Sequence, residues 1–202
     1  MAPTSKWFLD WVRSDEAKYS ADEIADVEAM RKVTESVADQ IRFAFKDVRL
    51  GDGIGLYEGE AFDGHNDREY IEKCRAKDER DSWQNLSEEV VWENEAALYF
   101  TDARGLHFLL PAFMVAALDG LTVYEAVIPY LCMVKARERI RAVDFTTEQL
   151  ESIIAFLRHY VEDSGYEYDH PQIKTAIESF WTPLLSTSGV ECIPKGRVPK
   201  SK

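Results

Sequence analysis

From Ile24 to Phe45, apolar residues recur at three- and four-residue steps: Ile24, Val27, Met30, Val33, Val37, Ile41 and Phe45. That spacing lines one face of an α-helix. Ser20, followed three residues later by Glu23, supplies a capping box at its start. The pattern predicts a helix over roughly 21–45. VRLGDGIGL (48–56) then breaks it with three glycines, which admit positive φ or close backbone approach, and reads as a structured loop. Asn66 or Asp67 caps a second helix through about Arg80, with Tyr70, Ile71 and Cys74 on one face and Glu72, Arg75 and Glu79 spaced for intrahelical ion pairs. Trp83 anchors its exit, and Ser87 with Glu88 and Glu89 starts a short helical turn.

The next segment changes character. ALYFT (97–101) and LHFLL (106–110) are β-prone runs flanking Asp102, Ala103, Arg104 and Gly105, which predicts a β-hairpin at about 97–110 with His107 half-buried on a strand. Pro111 then opens a helix to Leu118. Residues 122–136 read as a buried helix that Pro129 kinks or restarts. Thr146 or Thr147 caps a helix running to about Asp163 and ended by Gly165, and a last helix enters through Pro171. Trp7, Phe8 and Trp11 sit on a short amphipathic turn near the start. The expected fold class is mainly α (α+β): an N-terminal extension (1–19), one globular α+β domain (20–185) and a flexible basic tail (186–202).

At 46% hydrophobic content the 202 residues carry enough apolar surface to fold. The start lacks the features of a secretory signal. The longest apolar-looking run, Leu106 to Leu118, contains a proline and falls short of the ~20 residues a membrane span needs. Cys74, Cys132 and Cys192 form no CxxC and suggest neither a disulfide framework nor a zinc knuckle, so a reducing cytoplasm is the expected compartment. The net charge of −13 opposes direct binding to nucleic acid or an anionic membrane and favours a basic partner. The charge is uneven. Glu58 to Asp102 holds 14 Asp and Glu against 5 Lys and Arg, a balance of −9 that leaves −4 for the rest of the chain.

VRLGDGIGLYEGEAFD, CRAKDERDSW and ALYFTDARGLHFLLPAF, in that order, resemble a family of small, uncharacterised bacterial domains. In that family a glycine-rich segment ending in an acidic helix start precedes an R-x-x-D-E…W segment and a hairpin closing in L-P-A. The resemblance covers Val48 to Phe113. It implies a bacterial origin and a compact fold, and it transfers no catalytic role because the family carries no established activity. Gly59 stands where a larger helix former is expected.

The candidate chemistry is sparse. Gly51, Gly53 and Gly55 invite a phosphate-loop reading, but Asp52 lies inside the loop and no Lys-Ser or Lys-Thr pair comes after it. Glu58, Glu60, Asp63, His65 and Asp67 are a dense set of hard donors able to hold a divalent cation, yet they do not fit the calcium-loop pattern. Asp78, Glu79 and Asp81 beside Trp83 offer a carboxylate pair for acid/base work, although Arg75, Lys77 and Arg80 explain the same residues as ion pairs. The four histidines share no metal spacing and no nucleophile motif occurs.

The favoured expectation is therefore a non-enzymatic interaction protein with no cofactor. Its surface (Asp52, Glu58, Glu60, Asp63, Asp67, Glu88, Glu89, Glu93 and Glu95, with Trp92 as an aromatic anchor if exposed) binds a basic protein such as a toxin. The alternatives are a metal-dependent hydrolase on the clustered carboxylates and a structural homo-oligomer sharing the apolar face of residues 121–133.

Overall fold

The computed structural model describes residues 18–64, 66–119, 124–162 and 167–188. Helix α1 (Ala21–Ala44) begins with the predicted capping box: Glu23 N–H donates to Ser20 Oγ at 3.2 Å and Ser20 N–H to Glu23 Oε2 at 2.7 Å. Its inner face, Thr34, Val37, Ala38 and Ile41, is buried. After the glycine loop comes α2 (Leu56–Asp63). Asp67, rather than Asn66, caps α3 (Arg68–Arg75) by accepting from Tyr70 N–H at 2.9 Å. This helix stops at Arg75, short of Arg80; past it Asp78 caps α2 and Arg80 ties down the glycine loop. Trp83, in a 3-10 turn (Trp83–Asn85), is buried and donates its indole N–H to Phe45 O at 2.9 Å. Ser87 caps the short α4 (Glu88–Glu93) through Val90 N–H.

Among the described residues there is no strand, and the fold is mainly α. The expected hairpin at about 97–110 is instead two helices, α5 (Ala97–Phe100) and α6 (Ala103–Leu118). Asp102 is an N-cap, not a hairpin-turn residue: its Oδ1 accepts from Gly105 N–H at 2.7 Å. LHFLL continues without interruption into PAFMVAAL, and every residue from Phe108 to Leu118 is buried. A helix buried on all sides shows no period in its sequence, so its first residues match a strand equally well. Pro111 lies inside α6 rather than in its first turn. His107 is partly buried as expected, but on a helix, where its Nε2 lies 2.9 Å from Gln149 Oε1 and its ring meets Phe45 and Phe145 edge-on.

Helix α6 is the centre of the core, with α1, α4 and α7 (Tyr124–Cys132) packed on it. Past α7, with Pro129 inside, the chain restarts as a 3-10 turn (Val134–Ala136) and α8 (Arg137–Arg141). Thr146, rather than Thr147, caps α9 (Thr147–Glu162): Gln149 N–H donates to its Oγ1 and Gln149 Oε1 accepts from Thr146 N–H in return. α9 packs along α1. Helix α10 (His170–Ala176) passes through a π turn (Ile177–Trp181) into α11 (Thr182–Ser188). The Trp181 indole N–H donates to Leu131 O at 3.1 Å and ties this end to α7. Residues 186–188, expected to open the tail, still belong to α11. The turn expected at Trp7–Val12, Gly165 and the rest of the tail lie outside the described residues. No helix among the described residues is long and apolar enough to cross a membrane.

Candidate interaction surface

The acidic segment separates into carboxylates that the fold uses internally and carboxylates that it leaves facing outward. The glycine loop is where many of the former act. Gly51 has φ of +57°, a left-handed turn that glycine favours. The loop it starts is strapped from three sides. Arg80 Nη1 donates to Gly51 O at 2.6 Å, Arg75 Nη2 donates to Asp52 O at 3.0 Å, and Asp102 Oδ1 accepts from Ile54 N–H at 3.2 Å. Arg75 also meets Glu58 at 2.6 Å, and the Glu58 side chain is 8% exposed. Glu58 is thus a structural ion pair and leaves the expected partner surface. Asp78 is fully buried and accepts from Tyr57 N–H at 2.7 Å, capping α2. Burial pushes its carboxyl up to about 6, while the N–H groups of Tyr57 and Glu58 and the Arg80 cation draw it back. A perturbed carboxylate in a cleft is a functional candidate; the Asp78 side chain has no solvent-exposed surface.

The neighbouring acids are also occupied. Glu79 accepts from Asp81 N–H, Ser82 N–H and Asn85 Nδ2 and holds a turn, which lowers its pKa. Glu72 pairs with Arg68, Glu69 with Lys73, and Asp81 with Arg49 at 3.6 Å. Asp52 is exposed, 4.0 Å from Arg104, and Asp67 is consumed as the α3 cap.

The outward-facing acids stand on α4, the turn after it, and the surfaces they adjoin. Val91 turns inward, whereas Trp92 is 48% exposed, with Glu88, Glu89, Glu93 and Glu95 exposed around it in sequence. Among the described residues, Glu89, Glu93 and Glu95 form no ion pair with a Lys or Arg. Glu88 differs: burial, then Asp119 beside it, pushes its carboxyl up to about 7, and Asp119 in turn pairs with Arg31 at 2.8 Å.

Next to this edge lies a groove of about 480 Å³ between α2, α5 and α7. Its carboxylates are Asp63 at the end of α2, Glu95 before α5, and Glu125 at the start of α7; its walls include Tyr99, Phe100 and Ala126. Tyr99 is held in place: its hydroxyl donates to Ala126 O at 3.0 Å, its ring meets Tyr130 edge-on with centroids 5.3 Å apart, and its carbonyl accepts from Arg139 Nη1 at 2.6 Å. Phe100 is 38% exposed. Glu60 sits behind Ala96 and Ala97. Burial, then the charge of Asp63, holds its carboxyl above the usual range, and its Oε2 is shielded from solvent with no hydrogen-bond donor. The close approach of α2 and α5 also explains Gly59, because a Cβ there would lie 3.1 Å from Ala97.

Of the ten residues expected at a partner surface, Glu89, Trp92, Glu93 and Glu95 come together on one short stretch, with Asp63 joining Glu95 at the groove. Glu58 and Asp67 have internal duties, Glu60 is half-buried, Glu88 stands against Asp119, and Asp52 is exposed 4.0 Å from Arg104. Sequence reasoning missed Glu125, Tyr99 and Phe100. No local signal marks Glu125, which reaches Glu95 only because α7 packs against α5.

The five residues considered as metal ligands are dispersed: Glu58 faces Arg75, Glu60 faces α5, Asp63 lines the groove, Asp67 caps α3, and His65 lies outside the described residues. Among the described residues no three His, Cys, Asp or Glu side chains gather as a metal site requires.

No curated protein and no solved structure matches the chain significantly. A family model described as a family of unknown function, DUF6714, matches residues 33–185, from within α1 to within α11. That span is more than half of the chain and takes in the whole acidic segment and the groove, and the protein therefore belongs to the DUF6714 family.

Proposed function

We propose that the protein is an acidic interaction protein that binds a basic protein partner through the edge formed by α4 and α5, as an immunity or inhibitor protein of a bacterial cytoplasm does when it neutralises a toxin. One observation carries this reading: Glu89, Glu93 and Glu95 have no internal cation among the described residues, although most other acids of the same segment have an ion pair or a backbone partner, and Trp92 stands exposed among them. Unneutralised charge of one sign steers a basic partner towards the surface, and an aromatic side chain at its centre supplies affinity on contact. Cys74 and Cys132 are free thiols, which suits a reducing compartment.

The test is affinity capture from the native host, with the wild-type chain run beside the triple variant Glu89→Lys, Glu93→Lys, Glu95→Lys. The expected result is a basic protein retained by the wild type and lost by the variant. With that protein purified, the association rate should fall steeply between low and high salt. A partner whose association rate ignores salt, or one that the triple variant retains equally well, would overturn the proposal.

A further inference from the structure

The groove between α2, α5 and α7 has a composition more specific than general acidity. We infer that it receives an arginine side chain presented by a segment of the basic partner; this rests on the reading above and assigns the point of contact.

Three carboxylates from three separate elements, Asp63, Glu95 and Glu125, face one cavity of about 480 Å³. Among the described residues, neither Glu95 nor Glu125 makes an ion pair and no Lys or Arg lines the groove. Like-charge repulsion is felt behind the wall: after burial, the charge of Asp63 and, last, that of Glu95 raise the Glu60 carboxyl above its usual range. A cation placed in the groove relieves that repulsion, whereas an anion or a neutral group does not.

The walls choose between cations. Tyr99, immobilised by its bonds to Ala126 and Arg139, and the exposed Phe100 offer aromatic surface beside the carboxylates. A guanidinium is planar and weakly hydrated. It can lie on an aromatic face while its forked N–H groups reach carboxylate oxygens, and its aliphatic stem can cover the Ala126 wall. A lysine ammonium holds its water more tightly and gains less from the rings. Free arginine is a poorer occupant than a peptide-borne one, because its own carboxylate would meet the three acids of the groove.

The test uses the full chain and a fluorescein-labelled peptide of six arginines flanked by glycines, monitored by anisotropy, with NMR shifts of the protein as the locating readout. The hexalysine peptide and free arginine are run in parallel. The expected result is that hexa-arginine binds more tightly than hexalysine, free arginine does not compete at millimolar concentration, and the largest shifts fall on Tyr99, Phe100 and Glu125. Glu95→Gln with Glu125→Gln should weaken hexa-arginine by about three- to tenfold, the scale of two exposed charge contacts, as should Phe100→Leu, while Glu151→Gln on the outer face of α9 changes nothing. Equal binding of the two peptides, competition by free arginine, shifts spread over the whole surface, or an equal effect of Glu151→Gln would overturn the inference. The two proposals fail separately. A host partner that is lost with the α4 charges but indifferent to Glu125→Gln and Phe100→Leu removes the arginine groove and leaves the acidic edge standing.

Discussion

Tyr57 N–H donates to Asp78 Oδ1 at 2.7 Å, so helix α2 is capped by a side chain 21 residues further along the chain. The local N-cap, Gly55, has no side chain to do this and could not carry one, because a Cβ there would overlap the Asp78 carboxylate. The two positions form a single device: an empty cap and a carboxylate inserted into the space. Gly55→Ala should therefore cost about 1–3 kcal/mol of stability in urea unfolding, as overpacking in a rigid interior does. In an Asp78→Ala background the same substitution should cost much less, since the clash is gone, and additive costs in that cycle would refute the pairing.

Asp78 also predicts a pH dependence. Its folded pKa, about 6, lies above the ordinary 3.8, so the native state binds the proton more tightly than the unfolded chain. The resulting stabilisation is fully present below about pH 3.8 and is lost as pH rises through about 6, an effect on the order of 3 kcal/mol for this buried group. Asp78→Asn keeps an acceptor for the α2 cap but cannot ionise. Its stability deficit relative to wild type should shrink between pH 4 and pH 8, as read from urea midpoints across that range. A deficit constant with pH would place the titration elsewhere.

Glu88 should titrate near neutrality. Its carboxyl stands at about 7 because it is partly desolvated and faces Asp119, whose partner Arg31 offsets only part of the effect. A carbon-detected NMR titration should find the Glu88 side-chain transition at about 7, well above the ordinary glutamate value of 4.5. Asp119→Asn removes the opposing charge and should move that transition downward; an unmoved transition would mean that desolvation alone sets it.

Helix α1 is legible in the sequence because its capping box and its period are both local, and α3, α4 and α9 are legible through their caps. Residues 97–110 read as a hairpin because α6 is buried on every side from Phe108 onward, so LHFLL shows neither a helical period nor a visible end. Asp102 acts as a cap or as a turn residue depending on the elements packed beside it, and the tie from Ile54 N–H to its carboxylate spans 48 residues. The acidic segment is legible as charge but not as surface. Nothing near Glu58 announces that Arg75 will neutralise it, and nothing near Glu125 announces that it will face Glu95.

Two tryptophans separate stability from binding. Trp83 is 3% exposed and donates its indole N–H to Phe45 O, and Trp83→Ala should cost about 3–5 kcal/mol through lost burial and an orphaned carbonyl. Trp92 is 48% exposed; only the covered part of its ring contributes to folding, so Trp92→Ala should cost under about 1 kcal/mol. If the ring is an interface anchor, the same substitution should weaken the basic partner by about tenfold or more, the range in which central aromatic residues fall. Urea unfolding and a binding isotherm on the same two variants check both halves. A Trp92→Ala protein that unfolds as easily as Trp83→Ala would make Trp92 a core residue, and the aromatic part of the proposed interface would be lost with it.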